Sequence, residues 1–437
     1  MSLRSIAVAA LVLPATLLAG PSPAATQDQA LDAAIASVVP KVIEWRHDIH
    51  EHPELGNREF RTAAKVAEHL RALGLDEVET GVAHTGVVGI LRGGLPGPIV
   101  ALRADMDALP VAEQTGLPFA SKAIGEYNGQ EVPVMHACGH DAHVAILMGA
   151  AEVLVGMREQ IPGTIKFIFQ PAEEGPPEGE EGGAALMIKE GVLENPAPEA
   201  IFGLHVFPGP PGVVGYRPEG ALAAADELFI TVRGSQTHGS MPWLGVDPII
   251  ISAQIMTAIQ MIPSRQLDVT RAPAVITIGS INGGLRGNII PDKVEMTGTI
   301  RTFDPNMREQ IHERIRNTAT QIAEAGGATA EVRLGGHAPV THNDPDLTAR
   351  MVPTLEWAAG DGMSRVMPRV MGAEDFAYFQ QAIPGLFVVL SVSKANARPE
   401  EMAPNHSPFF FINDDAMLTG VRTMVGLPLG YLGALDH

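Results

Sequence analysis

The chain is short of the residues that would staple it, bind it to anionic polymers or anchor it in a membrane. It has one cysteine in 437 residues, Cys138. No disulfide framework can form within the chain, so stability must come from a packed core. Basic residues are scarce too, 30 against 50 acidic ones, for a net charge of -20. Such a surface repels phosphate backbones and anionic headgroups, which excludes nucleic-acid and membrane-surface roles. Beyond the N-terminus no stretch reaches the roughly 18 apolar residues that a membrane span needs. Low-complexity tracts and solenoid-period repeats are also missing, and the 46 glycines and 35 prolines are dispersed.

What is present is enough for a sizeable core. Hydrophobic residues make up 46% of the chain, and at roughly 100–200 residues per domain two or three domains are expected. The first 25 residues have the layout of a secretory signal peptide. Arg4 supplies a positive charge, residues 6–18 are apolar and residues 21–25 are small or proline. Pro14 interrupts the apolar run, which is too short to cross about 30 Å of hydrocarbon. Cleavage is expected after Ala24 or Ala25. The mature protein is then soluble, periplasmic or secreted, and makes no use of a membrane.

Helical spacing is expected over residues 31–49 and 62–73, the second stopping at Gly74. Residues 87–91, 99–102, 164–169, 200–204 and 386–390 are short, nearly continuous apolar runs, which read as strands buried on both faces. A helix over about 142–155 has crossover length. The fold class is therefore α/β, a mostly parallel sheet sandwiched by helices. Residues from about 226 to 334 instead give strand, helix, two strands, helix and strand, the ferredoxin-like split unit. The expected organisation is a catalytic domain over 26–220 and 336–437, with an α+β domain inserted over 221–335.

Three predicted strand ends deliver chemistry to one rim, where ligands bind in open α/β sheets. Asp105 follows the second run, Glu173-Glu174 the third and His205 the fourth. The densest cluster is His136-Ala-Cys138-Gly-His140-Asp141-Ala-His143. In extended chain, residues two apart point the same way, so Cys138 and His140 can reach one metal ion together. A sole thiol flanked by histidines in an oxidising compartment is better explained as a ligand than as an idle core residue. Adjacent carboxylates point to opposite sides, so one of Glu173 and Glu174 can bind metal while the other moves protons. His406 is weak on its own. His47, His50, His52, His69, His312 and His342 read as ordinary helix or loop residues.

In order and spacing these segments resemble the metal-dependent N-acyl-amino-acid amidohydrolases. The likeness is to the hippurate hydrolase and auxin-conjugate hydrolase branch of the aminoacylase–carboxypeptidase superfamily. The segments are residues 136–143, Gln170-Pro-Ala-Glu-Glu174, Gly203-Leu-His205, residues 372–379 (GAEDFAYF) and Asn405-His-Ser-Pro408. The resemblance implies two divalent ions per subunit, Zn, Mn, Co or Ni. Their ligands would be Cys138, His140, Glu174, His205 and His406, with Cys138 as the bridge. It implies Glu173 as catalytic base and Asp105 behind the ligands. His238 and Asn288 would approach the substrate from the inserted domain, which dimerises in relatives so that the counterpart of His238 completes the neighbour's site. Trp243 and Arg286 depart from the family pattern near the substrate entrance, so specificity does not carry over. The expected activity is deacylation of N-acyl or N-aroyl amino acids. A metal-dependent exopeptidase or dipeptidase is the alternative, and a periplasmic ligand-binding protein the third reading.

Overall fold

The computed structural model describes residues 23–360 and 362–435. Residues 1–22, which carry most of the expected export signal, lie outside the described residues. The first half runs through α1 (Pro23–Glu51), α2 (Phe60–Ala72), β1 (Glu77–Val82), β2 (Gly86–Arg92) and β3 (Leu95–Asp105). It continues with α3 (His140–Gly156), β4 (Pro162–Gln170), β5 (Ala200–Phe207) and β6 (Val214–Tyr216). Next come β7 (Ala224–Arg233), α4 (Pro248–Ile259), β8 (Ala274–Gly283), β9 (Lys293–Thr302), α5 (Pro305–Ala325) and β10 (Thr329–Ala338). The chain closes with α6 (Pro345–Ala359), β11 (Ser364–Val366), β12 (Gly385–Ser391) and α7 (Met417–Leu432).

Eight strands form one sheet in the order β1-β2-β4-β3-β5-β12-β6-β11. Its four central strands, β4, β3, β5 and β12, run parallel. They are almost wholly buried because α1, α3 and α7 cover one face while a second apolar cluster around Phe376, Phe379 and Phe387 covers the other. These strands outlast the apolar runs that announce them. β3 continues through buried Arg103 and Asp105, β4 through Gln170, and β5 through His205. Asp105 is thus the last residue of β3 and His205 lies within β5, while Glu173 and Glu174 follow the end of β4 on the rim.

The small unit is a four-stranded antiparallel sheet in the order β8-β9-β7-β10. That is the split β-α-β order, with α4 and α5 closing over a core of its own built on Leu228, Ile230, Ile255, Ile300, Ile311 and Ile315. Both helices start where the sequence supplies a cap. Asp247 accepts from Ile249 N and Asp304 from Met307 N, and each is followed by proline at the first helical position.

Candidate metal centre

Cys138 and His140 meet at a sharp turn into α3. Gly139 between them has φ of +97°, and a Cβ there would lie 2.3 Å from the Val206 side chain. Only glycine allows both the left-handed turn and the close approach. The turn lays Cys138 Sγ 3.3 Å from His205 Nε2, both side chains buried. On the facing side Glu173 and Glu174 leave β4 through Ala172, a non-glycine residue at φ +51°. His406 arrives at φ +67°, with its N–H donating to Ala137 O at 2.8 Å. Two such left-handed residues cost roughly 1–2 kcal/mol each and are tolerated where the surroundings over-determine them.

These side chains fall into two triads that share the thiol. Cys138, His140 and His205 offer ligand atoms within 4.8 Å of one another, and so do Cys138, Glu174 and His406. The imidazoles are already oriented for lone-pair donation at Nε2. His205 Nδ1 donates to Val206 O at 2.8 Å and His140 Nδ1 lies 3.2 Å from Asp107 Oδ1. His140 Nε2 is buried and has no hydrogen-bond partner among the described residues. His406 Nε2 lies 2.9 Å from Glu174 Oε1, the closeness of two donors aimed at a common third body. Thiolate, imidazole and carboxylate suit borderline divalent ions, and this set fits two of them.

The electrostatics are those of ligands facing one another without a countercharge. Burial, then Glu174 and Glu173, pushes the Cys138 thiol well above its ordinary range. Burial, then Glu374 and Glu174, does the same to Glu173. Burial, then His143, keeps His205 well below the usual imidazole range. At His140 burial opposes the charge, but Asp105 and Asp107 outweigh it and hold the ring up at about 10. A divalent ion at the centre reverses the thiol and carboxylate shifts, since its own charge becomes the largest in the site.

Behind the ligands stand residues whose roles the sequence did not disclose. Asp107 accepts from the backbone N–H groups of both Glu173 and Glu174, at 3.0 and 2.9 Å, while facing His140. One carboxylate therefore fixes the acidic pair and a histidine together. Asp105 pairs with His143 Nδ1 at 2.5 Å, and His143 Nε2 accepts from Val206 N at 2.8 Å, tying β3 to the strand that carries His205. Asn405 Nδ2 donates to the carbonyls of Cys138 and Val206 at 3.0 and 3.1 Å, holding the His406 loop in place. The reading of His50 as an ordinary helix residue is corrected. It is buried between Asp141 and Glu113, at 3.0 and 3.2 Å, where it braces the start of α3.

A cleft of about 500 Å³ opens in front of the cluster, lined by Glu173, Glu174 and His406 from the large unit and by Ala225, Arg301 and Gly336 from the small one. Arg301 hydrogen-bonds the Thr299 hydroxyl and the Ile300 carbonyl, both neutral. His238 and Asn288 stand together, with Gly239 N donating to Asn288 O at 2.8 Å and His238 paired opposite Ile289. His238 is exposed, its Nδ1 lies 2.8 Å from the Ser240 hydroxyl, and neither residue lines the cleft. The structure brings together the five expected ligands, Glu173 and Asp105, and leaves this pair apart from them.

Peptidase family M20/M25/M40 matches the chain over residues 101–429. Thermostable carboxypeptidase 1 of Saccharolobus solfataricus is 43% identical over 384 residues, covering 87% of this chain and 92% of that one. N-acetylcysteine deacetylase of Bacillus subtilis is 36% identical over 86% of this chain and 93% of its own. A solved dinuclear metal binding peptidase of the M20 family from Bacillus subtilis superposes with a TM-score of 0.75 at 32% identity. That match covers 91% of this chain and 99% of the other.

Proposed function

Since the chain belongs to peptidase family M20/M25/M40 and is a metal-dependent amide-bond hydrolase, we propose that it deacylates N-acyl or N-aroyl amino acids with Glu173 as the base. The observation that carries the substrate class is the position of Arg301, which lines the same cleft as Glu173, Glu174 and His406. A fixed planar cation suits the free carboxylate of an amino acid, and anchoring it there leaves the acyl amide toward the cluster.

Cys138, His140 and His205 would hold one ion, and Cys138, Glu174 and His406 the other. When bound, the ions supply Lewis acidity, which acidifies water and polarises an amide carbonyl. Glu173 then takes the proton of the attacking water at Oε2, the oxygen 3.8 Å from His140 Nε2, and delivers it to the leaving nitrogen. Asp107 keeps Glu173 and Glu174 on opposite duties by binding both backbone N–H groups.

We further propose export and a homodimer. Trp243, Leu244, Ile250 and Leu285 of the small unit are exposed, and Leu285 is fully so. A twin subunit would cover them and present His238 to the neighbouring cleft. Among the described residues no helix is long and apolar enough to cross a membrane. A second reading is removal of C-terminal residues from peptides, because Arg301 would hold any terminal carboxylate and one relative is named a carboxypeptidase.

The test is a panel of hippurate, acetylated amino acids and dipeptides, assayed with Mn or Zn, beside carboxamide versions of each substrate. Turnover of the acylated substrates, with the carboxamides weakened about tenfold or more through KM, is expected. Dipeptides turned over faster than every acylated substrate would favour the second reading.

A further inference from the structure

We propose that Asp375 is a positioning residue for Glu173, holding its carboxylate at the angle the reaction needs. The proposal rests on the reading of Glu173 as the base. Asp375 lies in the segment Gly372-Ala-Glu-Asp-Phe-Ala-Tyr-Phe379, which reaches the cleft wall beside Glu173 and contributes none of the five expected metal ligands. Its backbone N–H donates to Glu173 Oε1 at 3.3 Å. The other oxygen, Oε2, is thereby turned toward His140 Nε2. A glutamate side chain has three rotatable bonds, and in this site the donor that fixes it comes from a residue 202 positions away.

That donor is held in place by the carboxylate of the same residue. Gln170 Nε2, at the end of β4, donates to both Asp375 oxygens at 2.8 Å. Arg103 Nη2, from β3, donates to Oδ1 at 2.8 Å. Ala184 N, at the start of the helix Gly183–Lys189, donates to Oδ2 at 2.7 Å. One carboxylate thus ties two rim strands and a helix to the peptide that touches Glu173. Glu374 adds a second anchor, 3.0 Å from Arg103 Nη2 and accepting from Phe376 N at 2.9 Å. The carboxylates of Glu173, Glu374 and Asp375 crowd together. The buried guanidinium of Arg103, which also pairs with Asp105, is the cation that Glu374 and Asp375 face.

Both oxygens of Asp375 meet only donors, so an isosteric amide cannot replace it. The substitution Asp375→Asn would turn an NH₂ group against an N–H on one side or the other, and the peptide carrying the Glu173 contact would shift. A displacement of about 1 Å at a reacting group can cost roughly 10²-fold in rate.

The experiment is a double-mutant cycle between Asp375→Asn and Glu173→Gln, reading kcat, KM and metal content in the metal-loaded enzyme. Asp375→Asn alone is expected to lower kcat about 30- to 100-fold, with KM and metal content unchanged. In the Glu173→Gln background it should cost less than about threefold, because the group it positions no longer takes the proton. Equal losses in both backgrounds would overturn the proposal, and so would a loss that follows metal content. Should Asp375→Asn not fold, Gln170→Met carries the same cycle with a smaller kcat loss and the same non-additivity. Near-normal turnover in Glu173→Gln alone would instead remove the base assignment, and this proposal with it.

Discussion

The histidines on the rim of the large sheet and His238 of the small unit are of opposite kinds. His140 and His205 are buried, each with Nδ1 engaged and Nε2 turned toward the other ligands, and His143 has both ring nitrogens engaged. His238 is exposed and bonded only to its own turn. The large unit therefore sets its ligands within one chain, before any ion or substrate arrives. The small unit offers a cleft wall that includes Arg301 but leaves His238 open to solvent. The candidate ligands and Glu173 are built into the large unit, while His238 stands apart from them.

The largest effects should come from the built-in half. Glu173→Gln should lower kcat by about 10³-fold or more while keeping the metals, since only proton transfer is removed. Its neighbour Glu174→Gln should instead lose metal, so the two variants separate in elemental analysis. Similar metal contents in the two variants would break the division of labour between them.

His238→Ala tests the open half and should cost about 10- to 100-fold in turnover with the metals retained. Mixed with Glu173→Gln subunits under conditions of exchange, it should regain activity, because a mixed dimer has one intact site. No regain despite verified exchange would place His238 outside its neighbour's chemistry.

The smallest effect concerns the bracing of α3. Burial opposes the charge of His50, but Asp141 and Glu113 outweigh it and hold the ring at about 9 against an ordinary 6.5. The folded state therefore binds this proton more tightly than the unfolded chain does. The stability it contributes is complete below pH 6.5 and is lost as pH rises through 9, up to roughly 3 kcal/mol. Denaturant titrations at pH 6 and pH 9.5 should show that loss in the native protein and a smaller one in His50→Gln. An identical pH dependence in the two would exclude the bracing role.

Much of the rim was legible because its signals are local. Cys138-Gly-His140 needs three residues to be read, and Glu173-Glu174 stands directly after an apolar run. The apolar runs nevertheless ended the strands too soon, because Arg103, Gln170 and His205 are polar residues buried inside them. The supporting groups were harder to see. Asp107, Asn405 and Asp375 act through contacts 33 to 267 positions away, and nothing in their immediate neighbours marks a buried carboxylate or amide. The small unit's order of elements was plain from the succession of strand-like and helix-like segments. The separation of His238 from the cluster was not, since it depends on how the two units sit together.

The central claim is that two ions share Cys138, and counting ions in two variants tests it directly. Untagged protein loaded with Mn or Zn and freed of excess metal should carry two ions per chain. His205→Ala should keep one, held by Cys138, Glu174 and His406, whereas Cys138→Ser should weaken both because a hard hydroxyl replaces the shared thiolate. One ion in the native chain, or a Cys138→Ser variant that still binds one ion at native affinity, would contradict the account.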